Sequence, residues 1–227
     1  MNLGKALRLR RIFANGRALI VDCEPPADDP VAKIRVLARA GVDAVILTPG
    51  LLDIVAEDLG ALSVILRIDG ARGSRLVSVQ AALEMGAEAV EVAVGAGGSD
   101  ALDRFGAVTE EARRLGMPVF ANVAAGDWQE AARLAADYGA DVIQVRFALD
   151  APLRQAARLT GRAFVAALGS EHAARPDLFE LIYRIMQGPA NGLMLAGRDF
   201  GAAAILDSVC ALVHQGVSPE AAAVQSK

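Results

Sequence analysis

Lysine is nearly absent from this chain: Lys5, Lys33 and Lys227 stand against 20 arginines. The shortage bears on mechanism, because a guanidinium stays protonated and cannot act as an amine nucleophile. Histidine and cysteine number two each (His172, His214, Cys23, Cys210), with none of the spacings of a metal-binding motif. No metal and no other cofactor is expected. Two distant cysteines fit free thiols in a reducing compartment. The opening MNLGKALRLRRIF lacks the apolar stretch of a secretory leader, and no run approaches the ~20 apolar residues that span a bilayer. The expectation is a cytoplasmic protein with no membrane partner. Positive charge is not in excess either. A net charge of −4 gives no electrostatic reason to bind nucleic acid.

What is present describes a globular protein. At 227 residues the chain suits one domain with a substantial core, 1–227, with 1–16 as a lead-in and 216–227 as a frayed tail or short packing helix. One phrase recurs: ARAGVDAVILTPG at 38–50, LEMGAEAVEVAVG at 83–95 and ADYGADVIQVRFA at 136–148. Each is a helix end, a Gly suited to a left-handed stop, an acidic residue and a β-branched run. The interval between repeats matches two βα units. Filling in the intermediate units places strands near 18–22, 43–47, 63–68, 88–94, 118–123, 141–147, 163–168 and 192–197. Helical patterns fall near 30–40, 50–59, 74–85, 99–115, 127–138, 150–160, 174–187 and 200–214. Eight alternations of strand and helix predict a parallel (β/α)8 TIM barrel. A doubly wound open sheet would carry a glycine fingerprint after its first strand, where this chain has DCEPPADDP.

In such a barrel function gathers at the C-terminal ends of the strands. Those ends present Asp22, Cys23, Glu24, Thr48, Arg67, Asp69, Gly95, Asn122, Gln144, Arg146, Gly169, Ser170, Gly197 and Arg198, a mixture of carboxylates and guanidiniums suited to an anionic small molecule. Gly169 and Ser170 after the seventh strand, with Gly197 and Arg198 after the eighth, are candidates for phosphate binding, because small residues let an anion reach backbone N–H groups. The plainer alternative is tight turns and an ordinary ion pair for Arg198. Asp22 is a candidate acid or base, or else a helix cap or an ion-pair partner of Arg146 or Arg67, and it is expected to interact with Arg146 across the cavity. Glu24 reads better as a helix cap or ion-pair partner. His172 reads either as a ligand donor or as a surface residue, His214 as structural and Cys23 as a small buried hydrophobe. Gln144 and Arg146 lie two apart and so share one face of the sixth strand, an odd pair for a buried wall.

The segments LRLRRIFANGRALIVDCEPP, AGVDAVILTPGLL, MGAEAVEVAVGAGGSDALDRFGAVTEEARRLGMPVF and NGLMLAGRDFG resemble the archaeal-type class I fructose-bisphosphate aldolase family. It is also labelled DeoC/LacD-type or DhnA-type, and it includes autoinducer-2 thiolase-like proteins and aminodeoxyheptulosonate synthases. The resemblance implies an aldolase-type barrel, often a decamer built from pentamer rings, acting on a sugar phosphate or similar ligand. It also implies a Schiff-base lysine on the sixth strand, and there this sequence has Gln144. An amide cannot condense with a ketone. The family's Asp-His-Gly at the first strand is Asp22-Cys23-Glu24 here, and its Tyr-Pro-Arg-Gly after the fifth is Val123-Ala124-Ala125-Gly126. Two functional readings follow. One is a lyase or transferase working without an imine, with Asp22 as acid/base and Gln144 and Arg146 polarising an oxygen. The other is a catalytically inactive pseudo-aldolase that binds sugar phosphates or assembles with a partner.

Overall fold

The computed structural model describes residues 2–14, 16–24, 27–70, 74–94, 99–123, 128–146, 157–158, 160–173, 175–196 and 203–225. Eight parallel strands close on themselves in sequence order: β1 (Ala18–Asp22), β2 (Ala44–Leu47), β3 (Ser63–Arg67), β4 (Ala89–Val94), β5 (Val119–Val123), β6 (Val142–Arg146), β7 (Ala163–Leu168) and β8 (Gly192–Ala196). This is the TIM barrel that the alternating pattern predicts. Its helices are α1 (Leu3–Ile12), α2 (Pro30–Arg39), α3 (Pro49–Val55), α4 (Val79–Glu84), α5 (Ser99–Leu115), α6 (Trp128–Asp137), α7 (Ser170–Ala173), α8 (Leu178–Met186), α9 (Ala203–Cys210) and α10 (Pro219–Gln225). The helix expected at 150–160 lies mostly outside the described residues. That expected at 174–187 is α8, and the short α7 precedes it. None of the described helices is long and apolar enough to cross a membrane.

Strand alternation sorts the side chains into two cores. Leu19, Val21, Ile143, Val145, Leu193 and Leu195 face outward and pack against the helices. Ile20, Ile46, Ile65, Phe120, Val142, Val165 and Met194 fill the barrel interior. Such an interior is a packed layer, so truncating Phe120 to Ala would cost about 3–5 kcal/mol. The same parity turns Asp22, Arg67, Glu91, Asn122, Gln144 and Arg146 inward. Polar groups on strands otherwise buried on both faces therefore collect in one place.

The recurring acidic residue has a structural job at the opposite, N-terminal end. Asp43 accepts the backbone N–H of Leu19 at 2.6 Å, Glu88 that of Val64 at 3.1 Å, Asp141 that of Val119 at 2.9 Å, and Asn191 that of Phe164 at 3.1 Å. Each residue just ahead of an even strand thus clamps the odd strand before it, which is why the repeat spans two βα units. Gly41, Gly86 and Gly139, with φ of 73°, 84° and 99°, make the left-handed turn into three of these clamps. Two clamps also carry a cation, Glu88 meeting Arg11 at 3.4 Å and Asp141 meeting Lys5 at 2.8 Å, while Asp43 lies 3.0 Å from His214 Nε2. The lead-in is accordingly a plug. α1 crosses the barrel floor, buries Ile12 and stacks Phe13 on Phe120 with ring centroids 6.2 Å apart. At the other terminus α10 docks through Ser208, whose hydroxyl donates to the Ala222 carbonyl at 2.8 Å.

Candidate active site at the barrel mouth

At the mouth, Arg67 on β3 is the hub. Its Nη2 donates to Asp22 Oδ2 at 2.9 Å and its Nε to Glu91 Oε2 at 2.5 Å, while Nη1 donates to Glu24. Asn122 Nδ2 donates to the other Glu91 oxygen at 3.2 Å. Asp22 Oδ1 accepts the backbone N–H of Glu24 at 3.0 Å, which fixes the turn leaving β1. β3 and β4 place Arg67 directly opposite Glu91, and β5 and β6 place Asn122 opposite Gln144, so the register assembles the set.

Asp22 therefore pairs with Arg67, one of the two partners the sequence offers, and not with Arg146, the one it favours. Arg67 is two strands from β1, whereas β6 is three away around the other side. Arg146 is exposed at the rim, with no ion-pair partner among the described residues. Glu24 takes the ion-pair role expected of it.

Glu91 escaped the sequence reading. It sits mid-strand in VEVAV and was absorbed into an apolar run, although a carboxylate inside a strand buried on both faces was the available signal. Burial pushes its pKa from the ordinary 4.5 up to about 7, and the neighbouring Arg67 only partly offsets this. Burial bears down on the Arg67 guanidinium, but Glu91 and Asp22 outweigh it and hold that group well above its usual value. Burial likewise raises Asp69, whose Oδ2 accepts the Ala93 N–H at 2.7 Å.

Gln144 lies deeper and is fully buried. Its Nε2 faces the Met194 sulfur at 3.4 Å, and its Oε1 has no hydrogen-bond partner. An unmatched buried carbonyl oxygen costs about 1–3 kcal/mol. On β7 and β8 the inward-facing residues that follow Val165 and Met194 are the small Ala167 and Ala196.

The lysines are elsewhere. Lys5 is committed to Asp141 beneath the barrel. Lys33 is on α2, with its Nζ buried and without a hydrogen-bond partner near Cys23. Cys23 is buried, and its thiol is pushed up to about 11 by that burial. Lys227 lies outside the described residues, as do Gly95, Gly197, Arg198 and the segment Ala124–Gly126. Gly169 and Ser170 lead from β7 into α7, and His172 is buried there, not exposed. No group of three or more potential metal ligands occurs among the described residues.

Known proteins resemble this chain closely in architecture. A family model described as DeoC/LacD family aldolase matches residues 9–172. An archaeal fructose 1,6-bisphosphate aldolase superposes with a TM-score of 0.80 at 18% identity, covering 93% of this chain and 100% of that one. Fructose-bisphosphate aldolase from Slackia heliotrinireducens gives 0.80 at 15% identity, over 98% and 89% of the two chains. The 3-keto-L-gulonate-6-phosphate decarboxylase from Vibrio cholerae gives 0.60 at 15% identity, over 86% and 97%.

Proposed function

The chain belongs to the DeoC/LacD aldolase family, and from that premise we propose that it binds a small carbonyl compound bearing a phosphate or carboxylate and acts on it without an imine. The carrying observation is Gln144: a fully buried amide stands on the inner face of β6 with an unpartnered oxygen. The resemblance assigns the family's imine-forming lysine to that position. Proteins sharing the fold act on fructose 1,6-bisphosphate and 3-keto-L-gulonate 6-phosphate, which favours a phosphorylated sugar. Gly169, Ser170, Gly197 and Arg198 are the proposed phosphate-binding residues.

Carbon–carbon cleavage needs a base and a sink for the bonding electrons. In this reading Asp22, held by Arg67 and the Glu24 N–H, takes the proton from a hydroxyl β to the carbonyl. The C–C bond breaks, its electrons form an enolate, and the Arg146 guanidinium and Gln144 amide stabilise the enolate oxygen. The enolate carbon then takes its proton back from Asp22. One such donor is worth about 10²–10³ in rate. Glu91 and Asn122 do not touch the reacting atoms; they position Arg67, and Arg67 positions Asp22.

The second reading, a binding protein without turnover, is favoured by the same hub, since Arg67 engages Asp22, Glu24 and Glu91 together. A panel of sugar phosphates assayed by NMR for cleavage, with parallel borohydride trapping and peptide mapping, separates the possibilities. Cleavage without a trapped adduct is the expected result. Thermal stabilisation with no cleavage selects the binding reading, and an adduct on any lysine, Lys33 included, refutes both imine-free readings.

A further inference from the structure

The loop after β7 contains its own anion. The Glu171 carboxylate folds back against Gly169 and fills the space that a Cβ there would need. Its Oε1 lies 3.4 Å from His172 Nδ1 without hydrogen-bonding geometry, and that nitrogen is buried and unpartnered. His172 is 7% exposed, and its backbone N–H closes the turn by donating to the Gly169 carbonyl at 3.0 Å. Glu171 itself is half exposed and makes no other contact among the described residues that would hold its carboxylate. A negatively charged group thus rests on a bare glycine beside a buried imidazole nitrogen that lacks a partner, and it is held there weakly.

We infer that Gly169 and His172 form an anion subsite which Glu171 occupies in the free protein, and that an incoming phosphate or carboxylate must displace the Glu171 side chain. This rests on the proposed anionic ligand and goes beyond it by naming the residue that sets the affinity and selectivity of the subsite. The glycine supplies the close approach, because any side chain at 169 would collide with the occupant. His172 Nδ1 supplies a group that can meet the anion. Glu171 supplies competition, which weak monoanions cannot overcome and a phosphate dianion can. Removing the carboxylate therefore strengthens anion binding while leaving neutral polyols unaffected.

Isothermal titration with inorganic phosphate and with glycerol 3-phosphate tests this on the full chain, comparing wild type, Glu171→Gln and Glu180→Gln. Glu180, an exposed acid on α8, controls for the change in net charge. Glu171→Gln is expected to bind both probes about tenfold more tightly, an effect of about 1.4 kcal/mol, with Glu180→Gln unchanged. Equal or weaker binding by Glu171→Gln, alongside measurable binding by wild type, overturns the inference and leaves the anionic ligand standing. Equal gains in Glu171→Gln and Glu180→Gln overturn it as a mere charge effect. No binding by any of the three overturns it together with the anionic ligand.

Discussion

Glu91 offers a test of the mouth's electrostatics that needs no substrate. Its carboxylate is buried to 1% exposure, and its pKa stands at about 7 against 4.5 for the free side chain. Between those values the folded protein holds a proton that the unfolded chain has released, so rising pH favours unfolding. At about 1.36 kcal/mol per pH unit the gap amounts to about 3 kcal/mol. Stability is undiminished below about pH 4, declines through the interval and has lost the full amount above about pH 8. Glu91→Gln abolishes this titration while keeping the shape. Its carbonyl still accepts from Arg67 Nε, Asn122 can present its oxygen to the new amide, and Arg67 retains Asp22 and Glu24. Urea unfolding of both proteins at half-unit pH steps gives the difference between them, in which other titrating groups cancel. That difference should move by about 3 kcal/mol in favour of the variant from pH 4 to pH 8, or about 6–12 °C in Tm for a chain of this size. A flat difference would show that Glu91 titrates alike in the folded and unfolded protein, so that burial does not raise it. A difference moving the other way would mean that Arg67 dominates burial, and the reasoning would fail.

The clamps predict an asymmetry between partners. Asp141→Ala strips the Val119 N–H and Lys5 at once and should cost about 2–4 kcal/mol by urea unfolding, whereas Lys5→Met, which leaves Asp141 its backbone donor, should cost about 1 kcal/mol or less; equal losses would refute the clamp. At the centre, Gln144→Met removes an amide whose oxygen is unpaired, so the free protein should be unchanged or stabilised by up to about 2 kcal/mol. The same substitution should erase the thermal stabilisation given by a sugar-phosphate ligand, and retention of that stabilisation would remove Gln144 from the binding set.

The barrel was legible because its determinants are local. Each βα unit announces itself by a helix-stopping glycine and a β-branched run, and the observed strands fall within a residue or so of the runs read from the sequence. Two things were not local. The plug α1 looks like a basic amphipathic lead-in, and its purpose emerges only when Lys5 and Arg11 meet carboxylates 136 and 77 residues away. The hub around Arg67 depends on barrel stagger: parity shows that Asp22, Arg67 and Arg146 all face inward, but not which of them meet. Glu91 was hidden for a related reason, since a single acid among valines changes hydropathy little and matters only once burial is known.

The two ends of the barrel use carboxylates in opposite ways, and the contrast bears on function. At the N-terminal end each acid takes a backbone N–H, and two of the four clamps add a cation, so loss of any one is paid only in stability. At the C-terminal end three acids converge on one guanidinium, Glu91 is driven toward neutrality, Arg146 has no ion-pair partner among the described residues, and Gln144 keeps an empty acceptor. A chain selected for stability alone would replace Gln144 with an apolar residue of similar volume, which strand β6 would accommodate as it does Val142. Retaining a half-satisfied amide on the inner face of β6 is the arrangement expected where a ligand hydroxyl completes the hydrogen bonding. The imine-free reading therefore ties binding to a structural deficit at Gln144, and a bound ligand should repair it.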